Sequence, residues 1–366
     1  VEPLPVMGAA RTRFKVLPPS WRRDLRVSAD LAEEILQVAG VDSIAGTDLS
    51  HVRTPDLDDA SWENAWALRR RLAALGLNEA STLSYLDPAQ AELWGMRVAA
   101  PALDNPLSAD RSCLRPSLLP GLCACALDAF KRGQEGIALF EWGRIFRRNS
   151  NGVKESESVA VVLAGEALPG QWNAPAKAWD FYDLKGLAET LARGLDLTFR
   201  VAASKPAAIP AWAHPGRCAE VSLGGLHGTL AALHPALLKA LDAPRGLDEM
   251  LVLELEPQSL TKSLAKEPRY TAFSRVPSVE RDLSCLMERS LEAGRILDFI
   301  KNEGGMGSAR LLDRFEGPPL PEGRKSLTFR LTYSSTERSL TDAEVNVRHL
   351  ELVQHLETAL PVEVRR

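Results

Sequence analysis

The chain has 366 residues, of which 45% are hydrophobic and 25% charged, an ordinary soluble composition with room for two or three domains. Its formal net charge of −4 argues against a protein that coats nucleic acid by bulk charge, so any RNA contact has to come from local basic surface. Five scattered cysteines suit a reducing cytosol better than a disulfide framework, and no apolar run or signal peptide predicts a membrane segment. Because it starts with Val1, we expect the chain to be a piece of a longer protein.

The N-terminal segment predicts a short strand followed by a helix. Phe14–Leu17 has the apolar character of a strand. Leucine, isoleucine and valine then recur at helical spacing over Asp30–Ala39, and Gly40 is a typical helix stop. The polar stretch at 46–60 is predicted to be a linker.

Four acidic residues lie close together in this segment. Asp30, Glu33 and Glu34 occupy positions i, i+3 and i+4 of the predicted helix, and Asp24 lies on the extended stretch before it. One interpretation is a helix start in which Asp30 and Glu33 form a capping box while Glu34 is solvated. The other is a magnesium site, because Mg²⁺ takes oxygen ligands and is commonly held by a few carboxylates. The spacing by itself leaves both interpretations open.

Residues 61–265 are predicted to form an α+β domain built on an antiparallel sheet. Helices are predicted at 61–75, from about Pro120, and in the string AWDFYDLKGLAETLARGL. Strands are predicted in the string IALFEWGRIFRR and at Leu251–Leu255. Strands that are separated by helices and hairpin-like turns are typical of this class.

Common signatures of catalytic and metal sites are missing from the sequence. Cys123 and Cys125 are too closely spaced for a zinc site and no histidine lies near them, so buried helical cysteines are the better interpretation. There is no Gly-rich phosphate loop and no convincing Ser/His/Asp arrangement. A hydrolase or a redox enzyme is therefore unsupported.

The last quarter of the chain, residues 274–366, predicts a complete small domain. Thr341 and Glu344 have the spacing of a capping box at the start of its second helix. The predicted strands are Leu283–Met287, Ser308–Phe315, Ser326–Tyr333 and Val362–Val364, and the predicted helices are Leu291–Asn302 and Thr341–Leu360. The order β-α-β-β-α-β is that of a ferredoxin-like fold.

Several strings resemble one known family. SRVPSVERDLSCLM, LLDRFEGPPLPEGRKSLTFRLTY and RSLTDAEVN resemble the ferredoxin-fold anticodon-binding domain that closes the β subunit of bacterial phenylalanyl-tRNA synthetase. NPLSADRSCLRPSLLPGL, LFEWGRIF, DFYDLKGLAETL and HPGRCAEV resemble its class II synthetase-like domain, and PPSWRRDLRVSADLAEEILQVAGVDSI resembles the end of its winged-helix-like fifth domain. The resemblance implies that these three domains occupy 274–366, 61–265 and 1–45, with a linker at 46–60.

The resemblance also implies two kinds of site. Asp24, Asp30, Glu33 and Glu34 match the positions of a magnesium site that the family shares with its α subunit. In the last domain we expect tRNA contacts from basic and aromatic residues, because single-stranded bases stack on aromatic or arginine surfaces while basic groups bind phosphates. The candidates for tRNA binding are Arg281, Arg314, Phe315, Lys325, Arg330 and Tyr333.

The implied function is that of a subunit of a cytoplasmic phenylalanine–tRNA ligase. In this family an (αβ)₂ heterotetramer joins phenylalanine to tRNA(Phe) with ATP and Mg²⁺. We expect the α subunit to bind ATP and to do the chemistry, because no Gly-rich Glu-Arg string of a class II active site follows Leu255, and we assign no catalytic residue here. The alternative is a stand-alone RNA-binding or assembly protein with a degenerate synthetase fold.

Overall fold

The structure is a computed structural model that describes residues 2–4, 13–46, 60–257, 270, 276–303, 308–335 and 338–365. Contacts between residues divide the chain into two units, Val1–Lys266 and Glu267–Arg366. Each unit has its own hydrophobic core and is described separately. Across the described ranges, no helix has both the length and the apolar character needed to cross a bilayer.

The N-terminal segment contains a two-stranded ribbon and one helix. Strands β1 (Glu2–Leu4) and β2 (Arg13–Lys15) pair antiparallel, and helix α1 covers Ser28–Ala39. The helix starts two residues earlier than predicted, because the Asp30 carboxylate accepts hydrogen bonds from the backbone N–H groups ahead of it rather than capping the turn that follows. Its predicted end is confirmed: Gly40 has φ +84° and donates its N–H to the Leu36 carbonyl at 2.8 Å.

Within residues 60–257, an eight-stranded sheet forms the centre of the first unit. Its strands are β3 (Asn78–Glu79), β6 (Gly136–Asn149), β7 (Gly152–Leu168), β8 (Lys177–Ala178), β9 (Phe199–Ala203), β10 (Ala213–Leu223), β11 (Leu226–Leu233) and β12 (Met250–Pro257). The order is β3-β6-β7-β12-β11-β10-β9, with β8 beside β7, and the neighbours are antiparallel except for β3 and β6. A separate short pair is formed by β4 (Tyr85–Leu86) and β5 (Cys113–Leu114).

Helices cover both faces of this sheet. The helices of the first unit after α1 are α2 (Ala60–Ala74), α3 (Pro88–Leu93), α4 (Leu119–Lys131), α5 (Phe181–Gly194) and α6 (Pro235–Ala240). Helices α2 and α5 share one hydrophobic cluster with Val161 and Leu163 of β7, whereas α4 and α6 share another with Val162 and Ala164. Alternate side chains of one strand therefore enter two different cores.

The second unit has the predicted β-α-β-β-α-β order. Its elements are β13 (Val279–Glu288), α7 (Ala293–Asn302), β14 (Ser308–Glu316), β15 (Arg324–Tyr333), α8 (Asp342–Ala359) and β16 (Val362–Arg365). The strands form an antiparallel sheet in the order β14-β15-β13-β16. The alternation on β15 is also confirmed, because Leu327, Phe329, Leu331 and Tyr333 are all buried against α7 and α8. The two helices cover this face of the sheet.

The predicted capping box starts α8. The Glu344 carboxylate accepts a hydrogen bond from the Thr341 backbone N–H at 2.9 Å, and the Thr341 hydroxyl accepts one from the Glu344 N–H at 3.4 Å. Arg338 also binds the Glu344 carboxylate. These contacts, the Arg338 hydrogen bond first, hold the pKa of Glu344 well below its usual range.

We predict that Thr341→Ala lowers the free energy of unfolding of the second unit by about 1 kcal/mol, because the replacement leaves a backbone donor of α8 without its cap. All eight tryptophans precede residue 267, so urea unfolding followed by circular dichroism and by tryptophan fluorescence separates the two units. Thr358→Ala is the control, since the Thr358 hydroxyl donates to the Gln354 carbonyl inside the helix and caps nothing. Equal effects of the two replacements would contradict the prediction.

Candidate functional site

The face of the second unit's sheet that α7 and α8 leave open carries a charged row across three strands. Arg330 on β15 lies opposite Asp282 on β13 and donates from Nε and Nη2 to its two oxygens, each at 2.8 Å. Glu280 lies 3.6 Å from the same guanidinium. Hydrogen bonds from Arg330 lower the pKa of Asp282. Arg330 is therefore on the open face, as a tRNA contact requires, and acidic neighbours hold it in place.

Arg310 extends this row, although the sequence did not predict it as a candidate. It lies on β14 directly opposite Arg330, and we find no hydrogen bond or ion pair of its side chain within the described residues. Like charges directly opposite each other are unfavourable, so an anion placed between them would be stabilised. A β-bulge between Leu311 and Asp313 puts Arg310 on this face. Simple alternation from Phe315 would have placed it on the other face.

Phe315 supplies an aromatic surface next to the open face. It lies opposite Ser326 on the edge strand β14, and 43% of its surface is exposed. The centre of the face is polar but uncharged, since the hydroxyls of Ser284 and Thr328 lie 2.8 Å apart. The open face thus combines an exposed ring, hydroxyl groups and two arginines, which are the groups that bind single-stranded RNA.

Arg314 and Lys325 lie together at the turn between β14 and β15, on the helix side of the sheet. Arg314 donates to Glu316 at 2.5 Å, and Arg289, which the sequence did not predict, lies 3.5 Å from the same carboxylate. Lys325 is paired with Glu316 in the ladder and is 8% exposed; burial lowers its pKa. Three basic side chains around one carboxylate make this end of the sheet locally positive.

Arg281 and Tyr333 do not join the open face. Arg281 donates to Asp342 at 2.7 Å and to Asn346 at 3.2 Å, both on α8, so it lies on the helix side. Tyr333 is 2% exposed, and its hydroxyl is 2.9 Å from Nδ1 of His349. We therefore correct the expectation that Tyr333 stacks on a base: the alternation that predicted β15 also places this ring in the core.

Each of the four acidic residues of the N-terminal segment already has a hydrogen-bond partner within this segment. Arg22 binds both Asp24, at 2.7 Å, and Glu34, and its hydrogen bonds lower the pKa of each carboxyl group. Asp30 accepts from the backbone N–H groups of Arg26 and Val27 at 2.7 and 2.8 Å, which lowers its pKa as well.

Glu33 lies 3.4 Å from the side-chain nitrogen of Gln37 on the same helix. Within the described residues, no three acidic, histidine or cysteine side chains are grouped as ligands of one metal ion. In this arrangement the four carboxylates do not fit a shared magnesium ion, since Arg22 already neutralises two of them and Asp30 starts a helix.

Fold and site together define a class of protein. It is an α+β chain in which a helix-covered antiparallel sheet is followed by a ferredoxin-like unit with an open, arginine-bearing face suited to single-stranded RNA.

Comparison with known proteins specifies this class further. Residues 50–256 match the family model described as "Phenylalanyl tRNA synthetase beta chain CLM domain", and residues 274–365 match "Ferredoxin-fold anticodon binding domain". The first match covers more than half of the chain. The chain therefore belongs to the family of phenylalanyl-tRNA synthetase beta chains.

Curated relatives agree with this assignment. The phenylalanine–tRNA ligase beta subunit of Aromatoleum aromaticum is 34% identical over 96% of this chain and 44% of the relative. The beta subunits of Moorella thermoacetica and Geobacillus kaustophilus are 33% and 34% identical, over 96% and 94% of this chain and 44% and 43% of theirs. The chain spans less than half the length of the curated relatives it matches.

A solved structure, pyrrolysyl-tRNA synthetase of Desulfitobacterium hafniense, aligns with 65% of this chain and 76% of its own, at 18% identity and a TM-score of 0.40. At this level of similarity we draw nothing from it.

Proposed function

We propose that this chain is part of the β subunit of a cytoplasmic phenylalanine–tRNA ligase. It packs on a catalytic α subunit and binds the anticodon region of tRNA(Phe), while the α subunit binds ATP and attaches phenylalanine. One observation carries the proposal: a unit that matches the beta-chain family model is joined to a ferredoxin-like unit whose open face has RNA-binding chemistry. A stand-alone RNA-binding protein is not favoured, because the first unit also belongs to the synthetase family.

The domain assignment follows the same reasoning. Residues 1–45 are the end of a winged-helix-like domain, 46–60 a linker, 61–265 a class II synthetase-like domain without catalytic residues, and 274–366 the anticodon-binding domain. The β6–β7 hairpin supports the non-catalytic role. Its Arg147 is bound to Glu256 at 2.5 Å and so is not free to bind the phosphate of a nucleotide.

On the anticodon-binding domain, Arg330, Arg310 and Phe315 form the proposed RNA surface. Arg314 provides a second basic contact at the turn, and the buried Lys325 beside it adds positive charge there. Bases would stack on the exposed ring of Phe315, and the arginines would bind backbone phosphates. Because the net charge of −4 gives no overall attraction, binding of tRNA would rely on local basic surface of this kind.

The surface of α2 is our proposed contact with the α subunit. Trp62 and Trp66 are 57% and 38% exposed, and their rings meet edge to face at 5.6 Å. The guanidinium of Arg69 lies 4.8 Å from the Trp66 ring centre and also binds Glu79 at 2.6 Å. Exposed tryptophan and arginine held in a fixed geometry are the residues that most often dominate protein interfaces.

For magnesium, we propose that Asp24, Asp30, Glu33 and Glu34 act as ligands shared with the α subunit only when Arg22 has moved away. The exposed ion pairs of Arg22 are weak enough to be exchanged for a divalent cation. The partner subunit would supply the further ligands.

The whole proposal is tested by mixing the 366-residue chain with a cognate α subunit. We expect size-exclusion chromatography with light scattering to show an (αβ)₂ complex, and phenylalanine charging of tRNA to appear only in the mixture. A chain that forms no complex would contradict the packing role.

For tRNA binding we predict that Arg310→Ala and Arg330→Ala each lower the slope of log K against log salt by roughly 1, because each removes one phosphate contact. Filter binding of tRNA(Phe) over a salt series measures the slope. Arg217→Ala is the control, since Arg217 pairs with Glu249 in the other unit. An unchanged slope would remove the replaced arginine from the proposed surface.

For the α2 surface we predict that Trp62→Ala or Trp66→Ala weakens binding of the α subunit by about 2 kcal/mol, roughly 30-fold, as expected of a tryptophan at the centre of an interface. Biolayer interferometry with immobilised α subunit measures the affinity. Trp172→Ala is the matched control, because Trp172 is 97% exposed but lies outside α2. A stronger effect at Trp172 would place the interface elsewhere.

For the carboxylates we predict that Arg22→Ala tightens Mn²⁺ binding by roughly fivefold, because it releases Asp24 and Glu34 from exposed ion pairs. Water-proton relaxation enhancement measures the binding. In the control Arg26→Ala, the backbone N–H that serves Asp30 remains. If both variants bind Mn²⁺ like the unchanged chain, Arg22 does not compete with the ion.

A further inference from the structure

A cavity of about 210 Å³ opens on the sheet of the first unit, on the face that packs against α4. Glu254 and Glu256 of β12 and Arg147 of β6 contribute charged groups to its wall. Met96, Pro210 and Trp212 contribute apolar surface. A cavity of this volume has room for several water molecules or for a small metabolite.

The wall of the cavity contains more negative than positive side chains. Arg147 is the one cationic side chain among the described residues that line the cavity, and it is already engaged with Glu256 through two hydrogen bonds of 2.6 and 2.5 Å. Its Nε donates to the Pro116 carbonyl at 3.0 Å. Glu254 and Glu256 lie two residues apart on β12 and therefore face the same side. Two carboxylates thus share one cation.

Glu254 is the carboxylate without an ion pair of its own. It is 9% exposed and accepts hydrogen bonds from the Ser117 hydroxyl at 2.8 and 2.9 Å and from the Leu118 N–H at 2.8 Å. These donors are neutral, and burial raises the pKa of Glu254. A buried carboxylate is costly unless a cation or a proton compensates it, so the cavity is one positive charge short.

A ligand that complements this wall needs two properties, and a carboxylate can add a third contact. It needs a positive group for Glu254 and an apolar body for Trp212 and Met96. Arg147 retains one N–H on each terminal nitrogen beyond its bonds to Glu256, and these can bind a carboxylate. We propose that this cavity binds a small molecule with a primary ammonium group on an apolar body, of which an apolar α-amino acid is the simplest kind. The site binds without catalysing a reaction, and it does not depend on the tRNA-related function proposed above.

The test is isothermal titration calorimetry on the full chain without an α subunit, using 2-phenylethylamine, L-phenylalanine and 3-phenylpropionate as probes. We expect one site with a Kd on the order of 1 mM for the two amines, and binding at least roughly tenfold weaker for 3-phenylpropionate, which lacks the ammonium group. If neither amine binds, or if 3-phenylpropionate binds equally well, the proposal is wrong.

Variants locate the site. Glu254→Gln removes the charge at constant shape and should weaken amine binding at least roughly tenfold. Glu249→Gln is the matched control, because Glu249 is ion-paired with Arg217 in the same unit and does not line the cavity. Because Glu254 also holds the start of α4 through Ser117 and Leu118, the fold of Glu254→Gln is checked by tryptophan fluorescence before binding is measured.

Ala99→Phe provides a test that leaves every charge in place. Ala99 lines the cavity, and a phenyl ring at this position fills the space that the ligand needs. We expect this variant to keep its unfolding transition and to lose amine binding. Amine binding that survives in Ala99→Phe would show that the ligand binds elsewhere and would overturn the proposal, whatever the outcome for Glu254→Gln.

Discussion

Burial of one antiparallel sheet on both faces is the constraint on which the first unit depends. Because the middle of β7 sends alternate side chains into two cores, polar groups in the buried part of this sheet need internal partners. Glu141 meets this need through Arg115 at 2.8 Å and the Thr82 hydroxyl at 2.7 Å. Glu254 meets it only through neutral donors, and that difference makes the cavity beside it chemically distinct. The close approach of β11 also requires glycine, since a Cβ at Gly228 would lie 1.8 Å from the Glu254 carbonyl oxygen.

The sheet of the second unit is covered by helices on one face only, unlike the sheet of the first unit. Alternation therefore separates a core row from a row that meets solvent. Tyr333 lies in the row that packs in the core, and Arg330 lies in the row on the open face. An open face made of paired charges and hydroxyls can bind and release a polyanion without a large change in fold, which is the behaviour expected of an anticodon-binding surface.

Charge in this protein acts locally. Lysine and arginine number 44 and aspartate and glutamate 48, and many of the arginines are held by carboxylates. At three places the numbers of positive and negative side chains differ. These are Arg310 opposite Arg330, three cations around Glu316, and two carboxylates around Arg147. Each inequality leaves a local charge that a ligand of the opposite sign can neutralise.

Local patterns determined much of this protein from the sequence. The β-α-β-β-α-β order follows from periodicity within short segments, and the cap of α8 follows from Thr341 and Glu344, which are three residues apart. The strings that resemble the family likewise indicate the function class from sequence alone.

Other features depend on distant residues and were decided by tertiary structure. A bulge between β14 and β15 decides which face of the sheet Arg310 occupies. Arg22, which precedes helix α1, binds both Asp24 and Glu34 and so decides how these two carboxylates are neutralised. The cavity brings together β6, β12 and the residues before α4, which are far apart in the chain. Periodicity and capping act over a few residues and can be recognised in sequence, whereas register, ion-pair choice and cavity shape are fixed only when separate segments meet.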